Sequence, residues 1–437
     1  MERYSAYKDS GVEWIGDIPS HWIINKFNRE VYFQEGPGLR TFQFTEDGTK
    51  VICVTNITET GIEFDKLKKY ISEEEYLKKY QHFTVQNGDY LLSSSGNSWG
   101  KVCEYKSDEK VILNTSTIRL NSLNPYKLDK RLIPHILNSN FVKIQLEILM
   151  TGSCQPNFGP SHLNQLLVPV PDYAEQQKIV EFLDDKTAKI DRLLQIKEKK
   201  IELLKEKRTS LINQVVTKGL DPNVEMKDSG VEWIGEIPKH WATIKLKYLC
   251  EIVYGISPPD TTYNYEGLGS ILINGPVEYS KKDFGYTRSL KWTTDPKKFT
   301  SKGSLLFCLR GSTTGRMNIT HADVSIGRGV CSLKSKESQW FMIYSMMMLR
   351  IHIQKQISGS TFPSVTKDDV DNYLICHPPL EEQNGIAKYL DIQTNEIDRL
   401  IKLEQKKIEL LKEYRQSLIS EVITGKIKVF EEVLGVN

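Results

Sequence analysis

Four groups of residues have the types that chemistry needs, so their spacing decides what they can do. Gly96, Asn97, Ser98, Trp99, Gly100 and Lys101 look like a phosphate-cradling loop. Such a loop needs four residues between its glycines and a Ser or Thr after the lysine. Here three residues separate the glycines and Val102 follows the lysine, which argues against a nucleoside triphosphate site. An adenine methyltransferase would carry an Asn/Asp-Pro-Pro-aromatic loop. The nearest strings, Asn124-Pro125-Tyr126, Asn274-Gly275-Pro276 and Ser257-Pro258-Pro259-Asp260, do not fit. Pro171, Asp172, Glu175 and Lys178 mimic a nuclease motif at the wrong spacing. Asp172 three residues before Glu175 reads instead as a capping box that opens a helix. His21 and His240 stand beside Trp22 and Trp241 and read as structural imidazoles. No catalytic residue and no metal-ligand set emerges, and the chain itself is expected not to be an enzyme.

The elements that hold these residues come in two copies. Lys8 to Trp22 reads KDSGVEWIGDIPSHW, and Lys227 to Trp241 reads KDSGVEWIGEIPKHW. Only Asp17 against Glu236 and Ser20 against Lys239 differ. Ile190-Asp191-Arg192-Leu193 recurs as Ile397-Asp398-Arg399-Leu400, and Ile201 to Glu206 recurs as Ile408 to Glu413. Trp14 to Trp233 is an offset of 233 − 14 = 219, whereas Gly152 to Gly359 is 359 − 152 = 207. The first intervening stretch is therefore 219 − 207 = 12 residues longer than the second. Internal repeats fix architecture before any other signal, and length variation belongs on loops, where recognition resides. The order is box (1–22), variable domain (23–170), long helix (171–219), box (220–241), variable domain (242–377), long helix (378–425) and tail (426–437).

Composition sets limits. A chain of 437 residues suggests two or more domains. The net charge of +2 comes from 58 basic and 56 acidic residues, so any basic surface must be local. Cys53, Cys103, Cys154, Cys250, Cys308, Cys331 and Cys376 are scattered and never form a CxxC. Zinc and a disulfide framework are both disfavoured. With no long apolar run and no signal-like start, the expected location is the cytoplasm.

Ile179, Leu183, Ile190, Leu194, Ile201, Leu204, Leu211 and Val215 form a stripe with gaps of 3, 4 and 7. Such spacing suits a coiled-coil seam. Ile386, Leu390, Ile397, Ile401, Ile408, Leu411, Leu418 and Val422 repeat it. Two matching stripes in one chain favour mutual pairing, and a two-fold relation between the copies would make the helices antiparallel. Gly219 and Gly425 stand where a C-cap belongs, and Pro378-Pro379 suits a first turn that needs no N–H donors. Shorter helices are expected over 131–150 and 338–357. The variable stretches read as mixed α/β domains. Strands are expected at Val51–Ile57, Gly88–Ser94 and Ile112–Leu120, and at Ile271–Asn274, Ser304–Leu309 and Val330–Leu333. Gly88 to Gly96 matches Gly303 to Gly311, each running on to Gly100-Lys101 or Gly315-Arg316.

Taken together, these pieces resemble the DNA specificity subunit of type I restriction-modification systems over nearly the whole chain. The resemblance rests on the doubled GVEWIGxIPxHW box and the strand ending in Gly-x3-Gly-[Lys/Arg]. It also rests on the turns Gly152 to Asn157 and Gly359 to Ser364, and on the helix openings Pro171 to Gln176 and Pro379 to Gln383. It implies an α/β protein with two target-recognition domains in pseudo-two-fold arrangement, held apart by two long antiparallel helices. Each domain would read one half of a split, asymmetric double-stranded DNA site. Phe362 stands where the first turn has Gln155, so no single pocket carries across. DNA contact requires donors for phosphates and side chains that read base edges. In the first domain the candidates are Arg40, Asn56, Ser95, Asn97, Ser98, Trp99, Lys101, Asn114, Thr115, Gln155 and Asn157. In the second they are Tyr263, Asn264, Tyr265, Asn274, Lys281, Lys282, Arg310, Thr313, Arg316, Arg328 and Thr361. The repeated boxes, through Trp14, Trp22, Trp233 and Trp241, are expected to dock two methyltransferase subunits, with restriction/translocase subunits completing the complex. AdoMet, ATP and Mg²⁺ would belong to those partners. The alternative is a duplicated coiled-coil scaffold without DNA specificity.

Overall fold

The computed structural model describes residues 3–58, 60–150, 157–311, 313–357 and 364–429. The chain divides into two compact units, Met1–Glu198 with Lys406–Asn437, and Lys199–Gln405. The division cuts across the linear order, because each unit takes part of both long helices. The first helix runs Tyr173–Lys218 and the second Leu380–Ile423.

Each unit follows one plan. In the first, the box is a hairpin of Tyr7–Asp9 and Asp17–Pro19. Ile23–Lys26 pairs antiparallel with Leu167–Val170, so the chain enters and leaves the head side by side. The head holds a four-stranded antiparallel sheet, in the order Val31–Glu35, Thr117–Ser122, Tyr90–Ser93, Val102–Glu104. Beside it lies a three-stranded sheet in which Thr49–Ile52 runs parallel to Val111–Leu113. The second unit repeats this. Its box pairs Met226–Asp228 with Glu236–Pro238, and Ala242–Lys245 pairs with Leu374–His377. Its four-stranded sheet has the order Cys250–Tyr254, Val330–Ser335, Leu305–Cys308, Met317–Ile319. In its companion sheet Ser270–Ile273 runs parallel to Val324–Ile326. The strands are rich in Val, Ile, Leu and Phe, and their core positions on both faces are buried.

Three sequence expectations change in detail. The expected strand over 112–120 is split by a turn in which Ser116 takes φ of 61°. The segment 51–57 is a strand only to Ile52, and Val54–Asn56 turns back. The expected helix over 131–150 is two helices, Leu132–Leu137 and Asn140–Leu149. Ser139 is extended there and its Oγ donates to the Ile136 carbonyl, which takes an acceptor from the helix ladder. The second copy, Gln339–Ile357, is unbroken.

The long helices run antiparallel within each unit. In the first, the Trp22 indole donates to Glu175 near the start of the first helix, and a Cβ on Gly425 at the end of the second would lie 3.2 Å from Trp22. Further along, Arg415 of the second helix reaches Asp191 of the first at 2.8 Å. The second unit repeats both contacts, with Trp241, Glu382 and Gly219, and with Arg208 on Asp398 at 3.0 Å. Ile179, Leu183, Ile190, Leu418 and Val422 of the stripe share one core with the first box and head.

Candidate functional site

The candidate site is a cluster of turns, built twice. In the first head a Cβ on Gly36 would stand 2.3 Å from the Asn114 carbonyl oxygen, so only glycine lets the 36–45 loop cross the turn at Asn114. The Asn114 amide donates to Cys53 Sγ at 3.8 Å, joining that turn to Val54–Asn56. Asn56 closes its own turn: its Oδ1 accepts from the Cys53 N–H at 2.9 Å and its Nδ2 donates to the Lys66 carbonyl at 3.2 Å. Ser98 Oγ donates to the Val54 carbonyl at 3.3 Å, which brings in Gly96–Ser98. Ser95 bridges to Asn157 in antiparallel fashion. Arg40, Asn97, Thr115 and Asn157 are exposed on these turns, while Ser95, Ser98, Lys101 and Asn114 are half-buried. Asn56 is buried and holds the turn. Trp99 packs edge-on against buried Phe158, at 6.3 Å between ring centroids, as part of the core.

The second head reaches the same arrangement with other residues. A Cβ on Gly255 would stand 2.1 Å from the Gly327 carbonyl oxygen. Ser257 Oγ donates to Asn274 Oδ1 and accepts from the Arg328 N–H, each at 3.1 Å. Asn274 Nδ2 lies 3.4 Å from the Tyr263 hydroxyl. Glu278 takes the part of Asn56, its carboxylate accepting from the Asn274 and Gly275 N–H groups at 3.3 and 3.1 Å. A buried carboxylate needs a cation, and Lys291 stands 3.6 Å away. Arg310 bridges to Ser364, as Ser95 does to Asn157. Arg310 and Arg328 are exposed and Thr313 is half-buried. Asn264 closes a local turn with Leu268, and Tyr265 next to it is exposed.

The remaining candidates separate from this cluster. Lys282 reaches Asp398 on the second long helix at 3.0 Å. Arg316 donates to the Ser280 carbonyl at 2.9 Å, lies 3.7 Å from Asp283 and stands over the Tyr279 ring. These contacts hold the flank of the head, beside exposed Lys281. Lys101 and Arg316, matched by their glycines, thus have different surroundings. Gln155 and Thr361 lie outside the described residues.

The boxes require a correction. Trp22 and Trp241 are 0% and 1% exposed, so they cannot present a ring to a partner. They lock the box to the helix. Each indole N–H donates to a carboxylate in the helix's first turn, Glu175 at 2.8 Å and Glu382 at 2.9 Å. His21 and His240 reach the same carboxylates at 3.0 and 2.8 Å. The next residue grips the head. Gln176 accepts from the Asp129 N–H and donates to the Lys127 and Pro171 carbonyls. Gln383 likewise donates to the Pro378 carbonyl. Asp172 does cap the Glu175 N–H at 2.9 Å, but the Glu175 side chain turns to the box, leaving only half of the expected capping box. Trp14 and Trp233 are half-buried, and Trp233 stacks on His352 at 5.2 Å.

One feature escaped the sequence reading. Leu193, Ile196 and Leu203 on the first helix are 44–52% exposed, and Leu400, Leu403 and Leu410, each 207 residues later, are 38–50% exposed. By unit they group as Leu193, Ile196 and Leu410, and as Leu400, Leu403 and Leu203. The repeated offset was the available signal. Among the described residues no cluster of His, Cys, Asp or Glu could hold a metal, and no helix is long and apolar enough to cross a membrane.

Comparison with known proteins gives concordant findings. The family described as type I restriction modification DNA specificity domain matches twice, at residues 27–206 and 238–413. The protein assigned as the type I restriction enzyme MjaX specificity subunit of Methanocaldococcus jannaschii is 29% identical over 431 residues, covering 95% of this chain and 96% of that one. The MjaVIII specificity subunit of the same organism is 28% identical over 207 residues, 46% of this chain and 47% of its own. A chain from a solved structure concerned with complex assembly and conformational transition of the type I R-M system superposes with a TM-score of 0.74. It is 20% identical, with 94% of this chain and 99% of that chain covered. The HsdS subunit from Thermoanaerobacter tengcongensis gives 0.54 at 19% identity, with coverage of 94% and 98%.

Proposed function

From the premise that the chain belongs to the type I restriction-modification DNA specificity family, and so is a specificity subunit rather than an enzyme, we propose that it reads a bipartite, asymmetric site on double-stranded DNA. The carrying observation is that one construction occurs twice with different residues on its turns. Gly36 and Gly255 make the same close approach, yet Arg40, Asn97, Thr115 and Asn157 are displayed in one head and Arg310 and Arg328 in the other. Amides and hydroxyls suit base edges, and guanidinium groups suit guanine or phosphate. The scaffold alternative has no comparable observation in its favour.

The same reading assigns a docking surface for two methyltransferase subunits. It is the apolar group of Leu193, Ile196 and Leu410 in the first unit, repeated as Leu400, Leu403 and Leu203 in the second. Identical partners require repeated surfaces, and this group is repeated whereas the displayed turns are not. AdoMet, ATP and Mg²⁺ are assigned to the partner subunits. The test is methylome sequencing of a host that carries this chain with its methyltransferase. The expected mark is adenine methylation on a split, non-palindromic site. A continuous or palindromic target would overturn the bipartite reading.

A further inference from the structure

The two boxes are nearly identical, but only one of them is filled. In the first unit Tyr4 lies against the box. Its hydroxyl donates to Glu175 Oε1, and its ring centroid is 5.7 Å from that of His21 and 5.9 Å from that of Trp22. Lys428 stands over the Tyr4 ring at 5.8 Å. The strand offset of 219 places Asn223 at the matching position in the second unit. Asn223 is exposed, with its N–H turned to Asp221. A cavity of about 290 Å³ takes the tyrosine's place, walled by Leu220, Val224, Pro238, His240, Glu382 and Ile386. Lys178 of the first unit becomes Gly385 here, which widens the opening.

The carboxylates record the difference. Glu175 gives Oε2 to both His21 and Trp22 and keeps Oε1 for Tyr4. Glu382 spreads its oxygens, with Oε1 to His240 and Oε2 to Trp241. Its side chain is 41% exposed, against 18% for Glu175. A small turn of His240 onto Oε2 would reproduce the first unit and free Oε1 for a hydroxyl donor.

We propose that the cavity beside the second box is a receptor for a tyrosine side chain presented by a partner polypeptide. Tyr4 shows the chemistry of the occupant: a flat ring against His and Trp, a phenol on a carboxylate, and a cation over the outer face. A hydrogen bond to a charged acceptor is strong enough to discriminate tyrosine from phenylalanine. The volume lies at the small end of ligand sites, roughly 300 Å³, which suits one anchoring side chain.

The test uses the full chain with isotope-labelled isoleucine methyl groups and N-acetyltyrosinamide as probe. The Ile386 signal should shift on titration while that of Ile179, beneath Tyr4, stays. N-acetylphenylalaninamide should bind about tenfold more weakly, the loss expected for one hydrogen bond to a charged group. Asn223→Tyr should abolish the response, because a tyrosine at the position matching Tyr4 would fill the cavity from within the chain. Tyr4→Ala should create a second response at Ile179. A peptide of residues 3–8 should bind more tightly than the amide, because a polypeptide adds contacts at Leu220 and Val224. No shift at Ile386, equal binding of the phenylalanine amide or persistence in Asn223→Tyr would overturn the site. A peptide no tighter than the amide would overturn the polypeptide partner.

Discussion

Arg415 grips Asp191 with two bonds, Nε to Oδ1 at 2.8 Å and a terminal nitrogen to Oδ2 at 3.1 Å. The same pair recurs with its helices exchanged, because 191 + 207 = 398 and 208 + 207 = 415, and Arg208 lies on Asp398 at 3.0 Å. Each pair is partly exposed and contributes little stability alone. Their value is register: each fixes one antiparallel pairing, and between them lie Lys197 on one helix and Glu404 on the other.

Insertion of one heptad after Lys197 and one after Glu404 therefore leaves both pairs intact. Seven residues turn the helix through nearly two whole turns, so the seam keeps its face. The rod lengthens by about 10 Å, or roughly 3 bp at about 3.4 Å per base pair. Methylome mapping should show both half-sites unchanged and the unspecified gap lengthened. Changed half-sites with a fixed gap would show that the helices are not the ruler.

The glycine caps should be sensitive for two separable reasons. Gly425 has φ of 70°, and a Cβ would stand 2.4 Å from Pro19 and 3.2 Å from Trp22. Gly16 has nearly the same φ, 68°, and nothing within 4 Å. Gly16→Ala should cost about 1–2 kcal/mol from backbone strain alone. Gly425→Ala should cost more, since the box must shift off its helix. Thermal unfolding of the two variants measures the difference, and equal losses would mean that the packing of Trp22 against the cap is unimportant.

Cys53 offers a report on the DNA face. It is the half-buried thiol among the six described, and it lies beneath Asn114 in the first cluster of turns. Burial pushes the thiols of Cys103, Cys250 and Cys376 up to about 12, so they stay protonated and unreactive near pH 8. Maleimide labelling followed by peptide mapping should find Cys53 first among these four. Duplex carrying the cognate site should slow that labelling several-fold. Unchanged labelling at saturating DNA would remove the turn cluster from the interface.

The exposed apolar groups should control assembly one copy at a time. Ile196→Asp with Leu410→Asp alters the group within the first unit, and Leu203→Asp with Leu403→Asp alters that within the second. Each buried leucine contributes about 1.5–3 kcal/mol, so either double change should remove one methyltransferase subunit and the four together both. Native mass spectrometry reads the copy number directly. Two subunits retained in the quadruple variant would move the docking surface elsewhere.

The plan of the chain was legible because repeats and helix periodicity are local in sequence. The seam from Ile179 to Val215 and the glycine caps follow from spacing alone. The turns did not, since Ser116 breaks a strand by adopting a left-handed backbone that nothing in 112–120 demands. Trp22 and Trp241 misled for a related reason. A repeated tryptophan is compatible with a shared partner or a shared internal lock, and only the contact with Glu175 or Glu382 distinguishes them. Most polar residues singled out for DNA do lie on turns. Which are displayed depends on long-range bonds such as Lys282 to Asp398.

Half of the chain should make a symmetric reader, and the structure indicates how to improve it. A fragment from Met1 to about Pro222 keeps the first box, the first head and the first long helix. In the intact chain the first unit also takes residues 406–423 of the second helix, where Leu418, Ile419, Val422 and Ile423 enter its core. A second fragment can supply Leu211, Ile212, Val215 and Val216 at the matching positions, and Arg208 for Arg415 on Asp191. Three bonds are lost in that exchange, one of them from Gln416 to the Asn138 carbonyl. The Asn140 N–H donates to Ser420 Oγ at 2.8 Å, and Lys143 donates to Gln416 at 2.9 Å. The matching residues are Asn213 and Thr209. Thr209→Gln with Asn213→Ser restores these partners and should tighten the homodimer by at least about a hundredfold, since each bond recovered forms twice in the dimer at about 1 kcal/mol net. Sedimentation equilibrium measures that gain. Methylation mapping of the tightened dimer should show an inverted repeat of the first half-site. A tightened dimer that still marks the parent's asymmetric site would refute the assignment of one half-site to each head.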